Sequence, residues 1–189
     1  MKLRLPSWAV LLSICIVVGG MLGVVNGLTE GPIAQRAAEA ADVARRASFM
    51  EADSFEKMEL APDSGVDACY LAKKDGELLG YVVQVTVTGF GGPVEIQVGM
   101  DLDQTITGIN VGGSKFAETP GLGEKAKKPE FTEQFKGLTI PTQLGTDGLD
   151  AITGATITSG AVTSGVNKGG YFIRDLINPP AEDNRPEDL

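Results

Sequence analysis

Tyr81-Val82-Val83-Gln84-Val85-Thr86-Val87-Thr88-Gly89-Phe90-Gly91-Gly92-Pro93-Val94-Glu95-Ile96-Gln97-Val98-Gly99-Met100 is the stretch that decides how this chain folds. Tyr81, Val83, Val85 and Val87 alternate with Val82, Gln84, Thr86 and Thr88. Val94, Ile96, Val98 and Met100 alternate in the same way with Glu95, Gln97, Gly99 and Asp101. A period of two marks strands with one apolar face, and Phe90-Gly91-Gly92-Pro93 breaks the run between them. Upstream, runs at 70–73 and 77–81 flank Lys74-Asp75-Gly76, and Asp-Gly is a strong hairpin signal. Residues 106–111 read as a shorter strand. Consecutive runs joined by short turns predict an antiparallel meander. Asp101-Leu102-Asp103 opens like a calcium-binding loop, but the later oxygen ligands, the Gly and the closing Glu are missing at their offsets. Both Asp residues therefore read as turn formers at a strand end.

Helical spacing appears at both ends of the chain. Val162, Val166, Ile173, Leu176 and Ile177 predict a helix with one face on the sheet. Gly165, Gly169 and Gly170 weaken it by about 1 kcal/mol each relative to Ala, and serve either to let a neighbour approach or to end the helix early. At the N-terminus, residues 8–28 are uncharged and mostly apolar, long enough to cross a bilayer as a helix. Lys2 and Arg4 precede this stretch and Glu30 follows it, which predicts an N-terminus in the cytoplasm. Arg45 and Arg46 on the far side soften that asymmetry. A cleaved signal peptide is the other reading, although the stretch exceeds the usual apolar region of about 7–15 residues. Cys15 reads as a lipid-phase residue. Ile33, Ala37, Ala40, Ala44 and Ala47 predict a second, leading helix, with Thr29 near its N-cap and Pro32 in its first turn. From Asn178 the chain is Pro-rich and acidic, and reads as a disordered tail.

The chain has 189 residues and a formal charge of −9. The acidic balance argues against a nucleic-acid-binding role, where basic stripes supply affinity. The chain has no histidine, which removes His-dependent triads, His-ligated haem and most zinc sites. Of the two cysteines, Cys15 lies in the apolar stretch, so no disulfide can form inside the soluble part. There is no Cys-x-x-Cys, hence no iron–sulfur set. Electron transfer by this chain would need an organic cofactor.

Two short constellations stand apart. Asp150-Ala151-Ile152-Thr153-Gly154-Ala155-Thr156-Ile157-Thr158-Ser159 crowds hydroxyls around a Gly-Ala pair, just before the C-terminal helical pattern. Alone, it reads as a Thr/Ser-rich turn whose hydroxyl residues cap a helix. The small Gly154 and Ala155 also leave the Thr156 hydroxyl open to another protein's active site. A helix N-terminus favours anions, so a phosphate ester would sit well there. Glu118-Thr119-Pro120-Gly121-Leu122-Gly123 contains Pro-Gly, the preferred centre of a type II turn, followed by Lys125, Lys127 and Lys128. It reads either as a surface turn with a solvated charge run or as a rigid turn holding Leu122 against a flat apolar ring.

The run 150–158 matches D-x-x-[ST]-G-A-T-x-T, and E-T-P-G-L-G precedes it. Both resemble the hallmarks of the FMN-binding subunits of the Rnf and Na⁺-translocating NADH:quinone reductase complexes, and the Gly89–Pro93 run fits the same pattern. The resemblance covers about residues 77–177 plus the membrane anchor. It implies that Thr156 carries FMN through a phosphodiester bond, with Thr158 as the fallback acceptor. It further implies that Asp150 is read by a flavin transferase using FAD, and that Thr153, Gly154 and Ala155 complete that motif. Glu118, Thr119, Gly121 and Leu122 would lie beside the flavin ring. Lys115-Phe116-Ala117 departs from the family's frequent His before the turn, and Phe131 and Phe135 stand where a Trp is frequent.

The short soluble domain and the Gly-Gly-Pro run match the Rnf G-type branch best. The implied protein is an α+β fold: a transmembrane helix, then an FMN-binding domain with a twisted antiparallel sheet and flanking helices. Its expected organisation is a cytoplasmic N-terminus (1–7), a membrane helix (8–28), a juxtamembrane helix (29–50), an extracytoplasmic FMN domain (51–178) and an acidic tail (179–189). The implied function is to carry electrons, by covalent FMN, in a membrane complex coupling ferredoxin:NAD electron transfer to Na⁺ or H⁺ movement. Partners would be the other Rnf subunits, of A to E type, and the flavin transferase. With no dinucleotide fingerprint in this chain, NAD and ferredoxin would bind those partners. The alternatives are a C-type chain of the quinone reductase, a stand-alone anchored flavodomain for extracellular electron transfer and a non-redox assembly ectodomain.

Overall fold

Asp75 and Gly76 adopt positive φ (52° and 86°), the pair of left-handed residues that a two-residue type I′ hairpin requires. They turn β2 (Ala68–Lys74) into β3 (Glu77–Thr88). The computed structural model describes residues 6–146 and 148–179. Its strands β1 (Ser54–Met58), β2, β3, β4 (Pro93–Asp101) and β5 (Ile106–Gly112) form one antiparallel sheet in the order β1-β2-β3-β4-β5. This is the expected meander with one strand added. β1 went unanticipated because Ser54-Phe55-Glu56-Lys57-Met58 is short, mostly exposed and only weakly alternating. It exists because β2 offers an open edge, and its Glu56 forms an ion pair with Lys73.

The turn after β4 bears out the reading of Asp101. Its Oδ1 accepts the Thr105 amide at 2.8 Å, and its carbonyl accepts the Gln104 amide at 3.1 Å.

α3 (Thr156–Ile177) lies on one face of the sheet. Val162, Val166 and Ile173 are fully buried with Val83, Val85, Val94, Ile96, Val98 and Met100, each such side chain stabilising the fold by about 1.5–3 kcal/mol. Leu176 and Ile177 pack at the margin of this core. The helical glycines permit close approach rather than early termination. A Cβ at Gly165 would lie 2.4 Å from Ile96 Cδ1, and one at Gly170 would lie 2.6 Å from Ile140 Cγ2.

The polar alternates of β3 and β4 do not all face water. The end of α1 (Ser7–Ser48) and Phe49 cover part of that second face. Val82, Phe49, Ala52 and Ala72 form a small second core. Ser48 Oγ donates to the Gln97 carbonyl at 3.3 Å, and Thr107 Oγ1 donates to the Ser48 carbonyl at 2.8 Å. Gly99 has no room for a side chain, since a Cβ there would meet Ser48 O at 2.2 Å.

By its contacts the chain divides into two units, residues 1–41 and 42–189. The first consists largely of α1, whose apolar part is long enough to cross a membrane. The separate helices expected at 8–28 and 29–50 form one helix, Ser7–Ser48. Thr29 is not an N-cap. It lies inside the helix, with Oγ1 bonded to the Val25 carbonyl at 2.8 Å, so Pro32 is internal as well. The residue types at 29–33 resemble a helix start, but the helix runs through them, Pro32 included. Lys2 and Arg4 in the expected cytoplasmic terminus, and the acidic tail from residue 180 onward, fall outside the described residues.

Candidate functional site

Pro120 and Gly121 form the anticipated type II turn. Gly121 has φ +78°, and the Leu122 amide donates to the Thr119 carbonyl at 3.1 Å. The turn feeds directly into a 3₁₀ segment, Gly123–Lys127. Its fixed corner leaves Leu122 substantially exposed, 42% by relative area.

Glu118, at the base of this turn, is 6% exposed, and both its carboxylate oxygens are used. Oε1 accepts the Gly91 amide at 3.0 Å, and Oε2 accepts the Thr158 hydroxyl at 2.8 Å. One side chain thus joins the Gly89–Pro93 connection, the Pro-Gly turn and the first turn of α3. The surrounding glycines make the space: a Cβ at Gly89 or at Gly123 would lie 2.2 Å from a Glu118 oxygen.

α3 begins at Thr156, with Ala155 as its N-cap and no side-chain cap bond. The hydroxyl residues expected to cap the helix are therefore inside its first turn. The reason is local. Gly154 holds φ +80°, the Ala155 amide bonds back to the Ile152 carbonyl at 2.9 Å, and the N-cap position therefore falls on Ala155, which has no hydroxyl. Ser159 ties the turn down, its Oγ accepting the Ile152 amide at 2.9 Å and donating to the Ala155 carbonyl at 3.0 Å. Successive helix residues are about 100° apart, so Thr156 and Thr158 face opposite ways. Thr156 is exposed, whereas Thr158 is 1% exposed.

Phe90, Glu118, Thr119, Leu122, Gly123, Gly154, Ala155, Ile157 and Thr158 line a cleft of about 180 Å³. Glu118 and Thr158 lie at its base, and the highly exposed Phe90 and Ile157 stand at its rim with Leu122. Of the residues expected from sequence, Glu118, Thr119, Leu122, Gly154, Ala155 and Thr158 come together here. Thr153, Gly121 and Thr156 are exposed and outside its lining. Asp150 lines a different cleft, of about 320 Å³, with Lys125, Lys128, Glu130, Phe131, Gln134, Ala151 and Ile152. Its backbone amide donates to Gln134 Oε1 at 2.7 Å. Phe90 and Ile157 were missed because a lone apolar residue in a glycine-rich loop, or at a helix start, carries no periodic signal. Phe131 and Phe135 are core residues, packed edge to face at 5.4 Å.

Residues 89–169, which include both motifs, match the family model of an FMN-binding domain. The chain is 34% identical to the G subunit of the Na(+)-translocating ferredoxin:NAD(+) oxidoreductase complex of Acetobacterium woodii, covering 88% of this chain and 90% of that one. It is 32% identical to the G subunit of the proton-translocating ferredoxin:NAD(+) oxidoreductase complex of Clostridium ljungdahlii, covering 82% and 83%. Among solved structures, it resembles the C subunit of the Na(+)-translocating NADH-quinone reductase of Parabacteroides distasonis, at 25% identity and a TM-score of 0.48, over 60% of this chain and 63% of that one. On the extent of the first two matches, the chain belongs to the family of G subunits of ion-translocating ferredoxin:NAD(+) oxidoreductase complexes.

Proposed function

We propose that this protein is the electron-carrying G subunit of such a complex, with FMN held covalently on Thr156 and the domain on the outer side of the membrane. The observation that carries this reading is the contrast within one motif. Thr156 is presented to solvent at an uncapped helix N-terminus, while its neighbour Thr158 is buried.

The residues present fit a flavin. Phe90, Leu122 and Ile157 offer apolar contacts around one cleft, as the site of a flat cofactor needs. At about 180 Å³ the cleft is smaller than the roughly 300–1,000 Å³ of pockets that engulf a ligand. It can grip only part of a tricyclic ring. An ester on Thr156 would keep such a partly covered ring on the domain. The uncovered part of the ring would stay open to a partner's redox centre. When bound, the flavin supplies the electron-accepting chemistry; the chain's own residues position it and shield one side. The first-turn N–H groups of α3 favour the phosphodiester charge.

In this reading the helix within residues 8–28 anchors the chain with its N-terminus in the cytoplasm, the other Rnf subunits supply the ferredoxin and NAD sites, and a flavin transferase recognises the segment from Asp150 to Thr156. Intact-mass measurement after co-expression of the full chain with a flavin transferase tests it. One FMN adduct on the Thr156 peptide, and a folded but colourless T156V, are expected. An unmodified natively produced chain sinks the reading.

A further inference from the structure

We propose that Glu118 is the positioning residue that decides which threonine of the motif is esterified. It does so by pinning the first turn of α3, so that Thr158 is turned inward and Thr156 outward. This deepens the reading above and rests on it.

Two hydroxyls stand two residues apart in the motif, with similar intrinsic chemistry. Esterification would proceed by attack of a threonine Oγ1 on the flavin-side phosphorus of a flavin dinucleotide. The new O–P bond forms as the pyrophosphate P–O bond breaks, AMP leaves, and the hydroxyl proton passes to a base of the transferase; nothing is oxidised or reduced. Attack needs phosphorus at contact distance and in line with the oxygen. At Thr158 that approach is closed. The residue is 1% exposed, its hydroxyl donates to Glu118 Oε2 at 2.8 Å, and a Cβ at Gly123 would lie only 2.9 Å from its Oγ1. A carboxylate that accepts a hydroxyl proton could activate an oxygen, but not one that no phosphorus can reach.

Glu118 is suited to hold this arrangement because it is itself held. Its other oxygen accepts the Gly91 amide at 3.0 Å, and Gly89 and Gly123 close around it. Helix ends fray, and this one has no side-chain N-cap. With the pin removed, Ser159 still ties the turn to Ile152 and Ala155, but Thr158 loses the bond that holds its hydroxyl inward, and local opening of the helix end brings that hydroxyl within reach.

The test uses the full chain co-expressed with a flavin transferase, reading the modified threonine by peptide mass spectrometry and the amides at 156–159 by hydrogen exchange. T156V alone should remain colourless. T156V/E118A should carry flavin on Thr158 at least about tenfold above T156V. T156V/E118Q should stay colourless, because the amide can accept from Gly91 and donate to the Thr158 oxygen. T156V/E118D, whose side chain is too short to reach both partners, should behave like the alanine variant. Flavin on Thr158 in T156V alone overturns the proposal. So does a cooperatively melting T156V/E118A without flavin. If neither the alanine nor the aspartate double variant melts cooperatively, Glu118 is a folding residue and the selectivity claim falls. If the unsubstituted chain takes up no flavin, it is the Thr156 reading that fails. The pin is then judged by exchange alone, and unchanged rates at 156–159 in E118A overturn it too.

Discussion

Gly154 and Leu122, far apart in sequence, meet where the two motifs face each other: a Cβ on Gly154 would lie 3.1 Å from Leu122 Cδ2. Gly154 also holds φ +80°, a conformation costing a side-chain-bearing residue about 1–2 kcal/mol. Both effects act against G154A. The unmodified variant is expected to lose about 1–2 kcal/mol of stability and to accept flavin several-fold more slowly, because Thr156 follows two residues later. Thermal unfolding and in-gel flavin fluorescence measure this. Wild-type values on both would mean that the 153–155 turn relaxes without cost.

Helical glycines of α3 should respond in opposite directions. Alanine normally stabilises a helix interior by about 1 kcal/mol over glycine. At Gly165 the added methyl would lie 2.4 Å from Ile96 Cδ1 and 3.0 Å from Val87 Cγ1, inside a core where overpacking costs about 1–3 kcal/mol. At Gly160 nothing lies within 4 Å. G165A should therefore destabilise and G160A stabilise by up to about 1 kcal/mol, read as shifted urea midpoints with unchanged slopes. Equal shifts would show that propensity alone decides, and that Ile96 moves aside.

Asn167 fastens the loop ahead of the Thr motif. Its Oδ1 accepts the Thr142 amide at 2.7 Å and the Thr142 hydroxyl at 3.1 Å, and its Nδ2 donates to the Thr142 carbonyl at 2.8 Å. Thr142 is 3% exposed, so N167A strands buried polar groups at about 1–3 kcal/mol each. The expected result is a loss of at least about 2 kcal/mol, with faster amide exchange after residue 142. Exchange that accelerates uniformly over the domain would refute a local role.

Burial raises the Cys69 thiol from an ordinary 9.0 to about 12. The folded state thus favours the protonated thiol. Its contribution is fully present below pH 9, and is lost as pH rises from about 9 to about 12. C69A should lose part of that alkaline sensitivity, measured as the stability difference between pH 8 and pH 10.5. Native Cys69 should resist thiol reagents at pH 8 and react after denaturation. Rapid native labelling would contradict its burial.

The strands β2 to β5 were legible because alternation of Val83, Val85 and Val87, or of Ile96, Val98 and Met100, is a local signal of one buried face. The hairpin at Asp75-Gly76 and the Pro120-Gly121 turn were legible because only a few residue types tolerate those backbone angles. β1 was not, since its pairing depends on an edge supplied by β2 rather than on its own pattern. The single α1 was also missed, because Thr29 and Pro32 suit a helix start and nothing in their local pattern shows the helix running through both.

For the site, the sequence by itself determined the chemistry: an acidic and histidine-free chain, a rigid turn at Pro120-Gly121, and two hydroxyls beside Gly154-Ala155. Those follow from residue type and short-range backbone preference. Only the tertiary structure decided which of Thr156 and Thr158 is open to solvent, that Glu118 is spent on internal hydrogen bonds, and that Phe90, Leu122 and Ile157 share one rim. Accessibility depends on where a helix begins and on what packs beneath it, and those contacts come from segments tens of residues away.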